Sequence, residues 1–229
     1  MEIKKLQSLI VSNGLIKNPD VIMQLLQNNY NFNNNDYLVI SADGALKNCI
    51  KLKVMPDIII GDMDSIKLSD KKILKEINQK INYIKFPHDK NESDTQLALD
   101  YALKNDIKNI ILIGALGKRI DHTMANIFNI ASEKFKNPDI KIIDENFEIS
   151  VLRQSGEIKG TKGNIISIFS LTPYTYFINT KGLKYELKEE KLFFSPIRGI
   201  SNIFEEDKAV INIKEGCLLL IKEIRSLKL

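Results

Sequence analysis

Pro56-Asp57-Ile58-Ile59-Ile60-Gly61-Asp62-Met63-Asp64-Ser65 decides how the chain is read. Ile58-Ile59-Ile60 is an apolar run with the character of a buried strand. Just past its end, Asp62 and Asp64 stand at i and i+2, positions that face the same side of extended backbone. Two carboxylates so placed repel each other unless a cation sits between them. Hard carboxylate oxygens suit Mg²⁺, and Mg²⁺ commonly arrives with substrate phosphates.

Outward from that stretch, strands alternate with helices. On the N-terminal side, Leu9-Ile10-Val11 predicts a strand, Pro19 to Asn28 a helix, and Tyr37 to Ile40 a second strand. A short helix is expected from Gly44 to Leu52. On the C-terminal side come a helix over Ser69 to Lys80, a strand over Ile81 to Phe86 and a helix over Ser93 to Asn105. A strand over Ile110 to Ile113, a helix over Ile120 to Phe135 and a strand over Ile140 to Ile143 follow. This alternation predicts an α/β domain with a mostly parallel sheet over residues 1–150. The character then changes to short β-type runs: Ile165 to Phe169, Tyr174 to Ile178, Val210 to Ile213 and Leu218 to Ile221. Ser155-Gly156, Lys162-Gly163, Lys181-Gly182 and Glu215-Gly216 punctuate them. Residues 151–229 are therefore expected to form a smaller all-β sandwich or partial barrel.

In open α/β sheets, ligands bind beyond the carboxyl ends of the strands. The polar residues of the first domain fall there: Asn13-Gly14, Asp43-Gly44, Gly61 with Asp62 and Asp64, His88-Asp89-Lys90, and Gly114 to Gly117 leading to Arg119-Ile120-Asp121-His122. Gathering Asp43, Asp62, Asp64, Asp94 and Asp121 on one rim is unfavourable without a counter-cation. Metal plus polyphosphate explains the set most simply. Each residue also has a plainer reading. Asp43 and Asp121 fit as helix N-caps, and Ser93 with Gln96 fits a capping box. Asp94 complements a helix dipole. His122 fits as a helix-face residue hydrogen-bonded to Asn126, and His88 and Lys90 as loop residues. The Gly-Asp-Met-Asp-Ser stretch has no comparable structural use. A P-loop and a dinucleotide-binding Gly-x-Gly-x-x-Gly are both missing from the sequence.

The net charge of +4 is spread along the chain, which leaves no footprint for nucleic acid. Cys49 and Cys217 lie far apart and, with His88 and His122 the only histidines, do not make a zinc site. No signal peptide and no apolar run long enough for a bilayer is read in the sequence, so no membrane partner is expected and a reducing cytoplasm is the default.

Several stretches in order resemble the thiamine pyrophosphokinase family. They are Ser41-Ala42-Asp43-Gly44, the Pro56 to Ser65 stretch, Lys90-Asn91-Glu92-Ser93-Asp94, and Gly117-Lys118-Arg119-Ile120-Asp121-His122 with Asn126. In the second half, Lys181-Gly182-Leu183-Lys184-Tyr185-Glu186-Leu187 and Gly199-Ile200-Ser201-Asn202 continue the likeness. The chain departs from the family's pattern at Ala45, Lys118 and Asn91, and the last replaces an aspartate common at that place.

The resemblance implies transfer of pyrophosphate from ATP to the thiamine hydroxyl, giving thiamine diphosphate and AMP. It implies an ATP-binding catalytic first domain, a thiamine-binding second domain, and a homodimer with the thiamine site at the subunit interface. Mg²⁺ would be held by Asp62, Asp64 and Asp94. Asp43 and Asp121 would orient substrate or metal-bound water, and one aspartate would accept the hydroxyl proton. Lys90, Arg119 and Lys118 would balance phosphate charge. Asn13, Gly14, Gly61, Gly117 and His122 would line the ATP site, and Ser201 and Asn202 would face thiamine. Two alternatives stay open: a pyrophosphokinase acting on another alcohol, such as a hydroxymethylpterin, and a non-catalytic thiamine or nucleotide sensor.

Overall fold

A computed structural model describes residues 5–64, 81–117 and 119–224. The helix expected over Ser69 to Lys80, together with Ser65 and Lys118, lies outside the described residues. The chain divides into two compact units. One comprises residues 1–129 and 137–145, the other residues 130–136 and 146–229.

The first unit is a parallel sheet with helices. Its strands are β1 (Gln7–Val11), β2 (Tyr37–Ala42), β3 (Ile58–Gly61), β4 (Asn82–Lys85), β5 (Asn109–Ile113) and β6 (Asp139–Ile143). They lie in the order β6-β5-β1-β2-β3-β4, and every pairing is parallel. Strands covered on both faces read as continuous apolar runs. Leu9, Ile10, Val11, Ile40, Ile59, Ile60, Leu112 and Ile113 accordingly have no solvent exposure. The order places β1 between β2 and β5. The chain winds to one side of β1 through β4 and then crosses to the other side at β5. That reversal is a topological switch point, where a crevice opens beyond the strand ends.

The helices follow local signals. In α1 (Pro19–Tyr30), Asn18 caps the start by accepting from the Val21 N–H, and Pro19 occupies a first-turn position where no N–H is needed. α2 (Leu46–Leu52) follows a 3-10 turn at Asp43–Ala45. α3 (Asp94–Lys104) starts at Ser93, whose hydroxyl accepts from the Gln96 N–H at 3.2 Å, as the capping-box reading expects. α4 (Ile120–Ala131) is shorter than the Ile120–Phe135 helix read from the sequence. After Ser132 the chain tightens into a 3-10 turn at Glu133–Phe135. Among the described residues, no helix is long and apolar enough to cross a membrane.

The second unit holds eight strands: β7 (Phe147–Leu152), β8 (Gly156–Lys159), β9 (Ile165–Ser170), β10 (Tyr174–Lys181), β11 (Lys188–Phe193), β12 (Asn202–Ile203), β13 (Lys208–Glu215) and β14 (Leu218–Glu223). They form two antiparallel layers, β12-β9-β14-β7 and β11-β10-β13-β8. Ile168, Phe177, Phe204, Ile211, Leu218 and Leu220 belong to one buried cluster drawn from both layers, as in a sandwich. Arg153 donates to the carbonyls of Ala131 and Ser132 at 2.9 Å each, fixing residues 130–136 to this unit.

Candidate active site

The crevice at the switch point is real. Beyond β1 and β5, the Ser12 N–H donates to the Ile113 carbonyl at 2.8 Å and the Gly14 N–H to the Gly114 carbonyl at 2.7 Å. A Cβ at position 14 would lie 2.3 Å from the Gly114 oxygen and 2.5 Å from the Leu116 oxygen, so only glycine lets the two loops meet. The buried Asn48 of α2 ties the same loop down, donating to the Ser12 and Gly14 carbonyls at 2.8 and 2.9 Å. Asn126 of α4 donates to the Ala115 carbonyl at 2.8 Å rather than pairing with His122. The Gly117 N–H reaches Thr123 Oγ1 at 3.2 Å. These bonds frame a cleft of about 690 Å³ within the first unit. Asn13, Gly14, Asp43, Lys90, Asp94, Gly117, Arg119 and His122 all line it, as does His88.

The ends of β2 and β3 are built around each other. Asp43 is buried and adopts φ 34°, and Met63 adopts φ 68°; both are left-handed conformations costly for side-chain-bearing residues. The Met63 N–H donates to Asp43 Oδ1 at 3.1 Å. Asp43 is therefore not the N-cap read from the sequence. Ala42 precedes the 3-10 turn, and Asp43 uses its carboxylate across to the next loop. Gly61 permits this approach, because a Cβ there would meet the Asp43 Cβ at 2.5 Å. Strained backbone maintained on both sides of one hydrogen bond is the pattern of a functional loop rather than a plain turn.

Next to that contact, the Asp64 N–H donates to Asp62 Oδ1 at 3.3 Å. Lys90 lies between two of the carboxylates, 2.9 Å from Asp94 Oδ1 and 4.0 Å from Asp62 Oδ2. Burial works to lower the Lys90 pKa, but the contact with Asp94 and the charges of Asp62 and Asp43 outweigh it and raise it. The Asp62 carboxyl is held below its ordinary value, first by hydrogen bonding with Asp64 and further by the charges of Lys90 and His88, against a burial penalty. Part of the counter-charge demanded by the sequence is thus a lysine ammonium.

A divalent cation fits beside it. Ligand atoms of Asp62, Asp64 and His88 lie within 4.8 Å of one another. Opposite donors around an ion bound at Mg²⁺ distances stand about 4.2 Å apart, so small side-chain adjustments close the set. Asp94, expected in this set, is instead the partner of Lys90. Asn91 is exposed.

On the far wall, Arg119 grips Asp121 with two hydrogen bonds, the Nε one at 2.9 Å. Asp121 lies in the first turn of α4 and is not its N-cap. The Arg119 hydrogen bond pulls its carboxyl far below the usual range, and the Arg119 pKa rises in return. Ser201 and Asn202 belong to the second unit. Asn202 is nearly buried. Its Oδ1 accepts from the Tyr185 N–H at 2.9 Å and its Nδ2 donates to the Tyr185 carbonyl at 2.8 Å. Ser201 is exposed at φ 58°, and its N–H donates to Ser167 Oγ at 3.1 Å.

The loop anchors Asn48, Thr95 and Ser12 were not read as site residues from the sequence. Thr95 and Ser12 share a buried hydroxyl–hydroxyl bond of 2.8 Å. A polar side chain on the apolar face of a short helix, such as Asn48, is the signal that points to such an anchor.

The family model described as "Thiamin pyrophosphokinase, catalytic domain" matches residues 7–143, and "Thiamin pyrophosphokinase, vitamin B1 binding domain" matches residues 147–218. The chain is 27% identical over 172 residues to Thiamine pyrophosphokinase 1 of Oryza sativa subsp. japonica, a match covering 69% of this chain and 62% of that protein. Its match to Thiamine pyrophosphokinase of Bacillus subtilis is 24% identical over 188 residues and covers 81% and 86%. The fold superposes on the crystal structure of thiamine pyrophosphokinase from Bacillus subtilis with a TM-score of 0.81 at 21% identity, covering 95% of this chain and 98% of that one. The yeast thiamin pyrophosphokinase structure gives 0.77 at 18% identity, covering 99% and 89%.

Proposed function

Since the chain belongs to the thiamin pyrophosphokinase family, we propose that it transfers the pyrophosphoryl group of ATP to the hydroxyl of thiamine. The hydroxyl oxygen bonds to the β-phosphorus, the bond from that phosphorus to the α,β-bridging oxygen breaks, AMP departs, and the hydroxyl proton is lost. The observation that carries this reading is the switch-point cleft, with its strained Asp43–Met63 contact and the adjoining Asp62, Asp64, Lys90 and Asp94.

Such transfers depend on positioning and charge stabilisation. Mg²⁺ held by Asp62 and Asp64, with Asp94 nearby, would neutralise the phosphate charge. Lys90 keeps the carboxylates together and turns a positive charge toward the phosphates. Arg119, oriented by Asp121, meets the nucleotide from the opposite wall, beside His122 and Gly117. Asn13 offers its amide at the floor, Gly14 lets the two loops close beneath it, and Gly61 keeps room for Asp43. One of the carboxylates takes the hydroxyl proton. In this reading residues 1–150 carry ATP and the chemistry, and residues 151–229 carry thiamine. The Ser201 hydroxyl faces thiamine, while Asn202 acts by fixing Tyr185. The enzyme works in the cytoplasm as a homodimer with the thiamine site at the subunit interface.

Incubating the purified protein with ATP, Mg²⁺ and thiamine tests this. AMP and thiamine diphosphate in equal amounts are expected. ADP with thiamine monophosphate, or turnover only with a hydroxymethylpterin, would overturn the reading, and binding without products would make the protein a sensor.

A further inference from the structure

We propose that His88 is a third ligand to the divalent cation beside Asp62 and Asp64, and that its imidazole turns the site's preference from Mg²⁺ toward Mn²⁺. The proposal rests on the reading that this cleft binds metal with nucleotide, but its test does not use turnover. His88 stands at the meeting point of two features described separately above. It lines the cleft, and it completes the one group of three close ligand atoms found among the described residues. Its Nε2 lies 3.8 Å from Asp64 Oδ2.

The other ring nitrogen has a different carboxylate neighbour. Nδ1 lies 3.6 Å from Asp89 Oδ1, beyond hydrogen-bond length but on the side where an orienting carboxylate belongs. Ligating histidines characteristically turn one nitrogen to the metal and the other to such a partner. Asp62 and Asp64 are fixed to each other through the Asp64 N–H, so an ion entering between them meets two oxygens and the Nε2 nitrogen on one side. An ion held by these three side chains would keep further positions for phosphate oxygens and water.

The nitrogen decides selectivity. Mg²⁺ takes oxygen ligands and gains little from imidazole. First-row transition ions accept imidazole readily, and Mn²⁺ combines that with a liking for carboxylates. The plainer role for His88 is a neighbour of Asp64 with no metal between them, an arrangement that an ion would displace. The two roles differ in whether nitrogen touches the ion.

Pulsed EPR on the full-length protein loaded with less than one equivalent of Mn²⁺ separates them. Directly bound imidazole gives ¹⁴N modulation, and the chain's only histidines are His88 and His122. The modulation is expected in the wild type and in His122→Ala, and lost in His88→Ala. Mn²⁺ affinity, followed by the signal of the free ion, should weaken on the order of ten-fold or more in His88→Ala. Mg²⁺ affinity, measured by competition, should change less than about threefold. No ¹⁴N modulation in the wild type, modulation surviving in His88→Ala, or equal Mn²⁺ affinity in both proteins would overturn the proposal. If thiamine turnover fails while the ¹⁴N signal appears, the functional reading falls and the ligand stands.

Discussion

The loops of the first unit and the Ser201-Asn202 turn of the second treat polar side chains in opposite ways. In the first, Asp62 and Asp94 flank Lys90 and Asp64 stands beside Asp62, an arrangement with more negative than positive charge. In the second, the Asn202 amide is taken up by neighbouring backbone. The first arrangement gains from an added cation. The Asn202 amide is complete by itself and serves as architecture, holding the turn that exposes the Ser201 hydroxyl. A charged residue at a strand end thus points to binding when its own fold leaves its charge unbalanced.

Removing Lys90 strikes the first arrangement hardest. Lys90→Met leaves the half-buried Asp94 without its lysine partner. Unfolding by denaturant in EDTA should show a loss of about 2 kcal/mol, between the values for exposed and buried pairs, and millimolar Mg²⁺ should restore most of it because the ion binds only the folded state. An equal loss with and without Mg²⁺ would break the contrast. Asn202→Ala orphans the Tyr185 N–H and carbonyl and should cost about 2 kcal/mol, with no response to Mg²⁺. A Mg²⁺-dependent recovery there would erase the distinction. Ser201→Ala removes only an exposed hydroxyl. Stability should stay within about 0.5 kcal/mol of the wild type, while the KM for thiamine rises several-fold.

The smallest effect is expected at Arg119. Its contact with Asp121 depresses the carboxyl pKa, so the stability it lends is present above the ordinary carboxylate value and fades as pH falls below it. Both side chains are exposed, which keeps the contribution small. Melting curves of the wild type and Arg119→Gln should differ slightly at neutral pH and converge below about pH 4. A gap that widens in acid would contradict this sign.

Much of this could be read from the sequence, unevenly. The buried strands β1, β3 and β5 announce themselves because a strand covered on both faces must be apolar throughout. β11 does not. Lys188-Glu189-Glu190-Lys191-Leu192-Phe193 is an edge strand with one buried side chain, Leu192, and its charges resemble a loop. β12 has two residues and takes its place from Asn202 rather than from propensity. Asp62 and Asp64 were legible because strand periodicity puts both on one side. Asp43 pairing with the Met63 N–H was not, since it depends on left-handed backbone at two loops far apart in sequence. His88 read as a loop residue for the same reason: its proximity to Asp64 is created by β3 and β4 lying side by side.

The central claim is that the carboxylates after β3 hold the metal and nucleotide for pyrophosphoryl transfer. Asp64→Asn removes one charge and keeps the side-chain shape. Formation of thiamine diphosphate from ATP, Mg²⁺ and thiamine, measured beside thermal unfolding, is expected to fall by roughly a thousandfold or more, with the unfolding midpoint unchanged or slightly raised. Near-normal turnover in the folded variant would contradict the account.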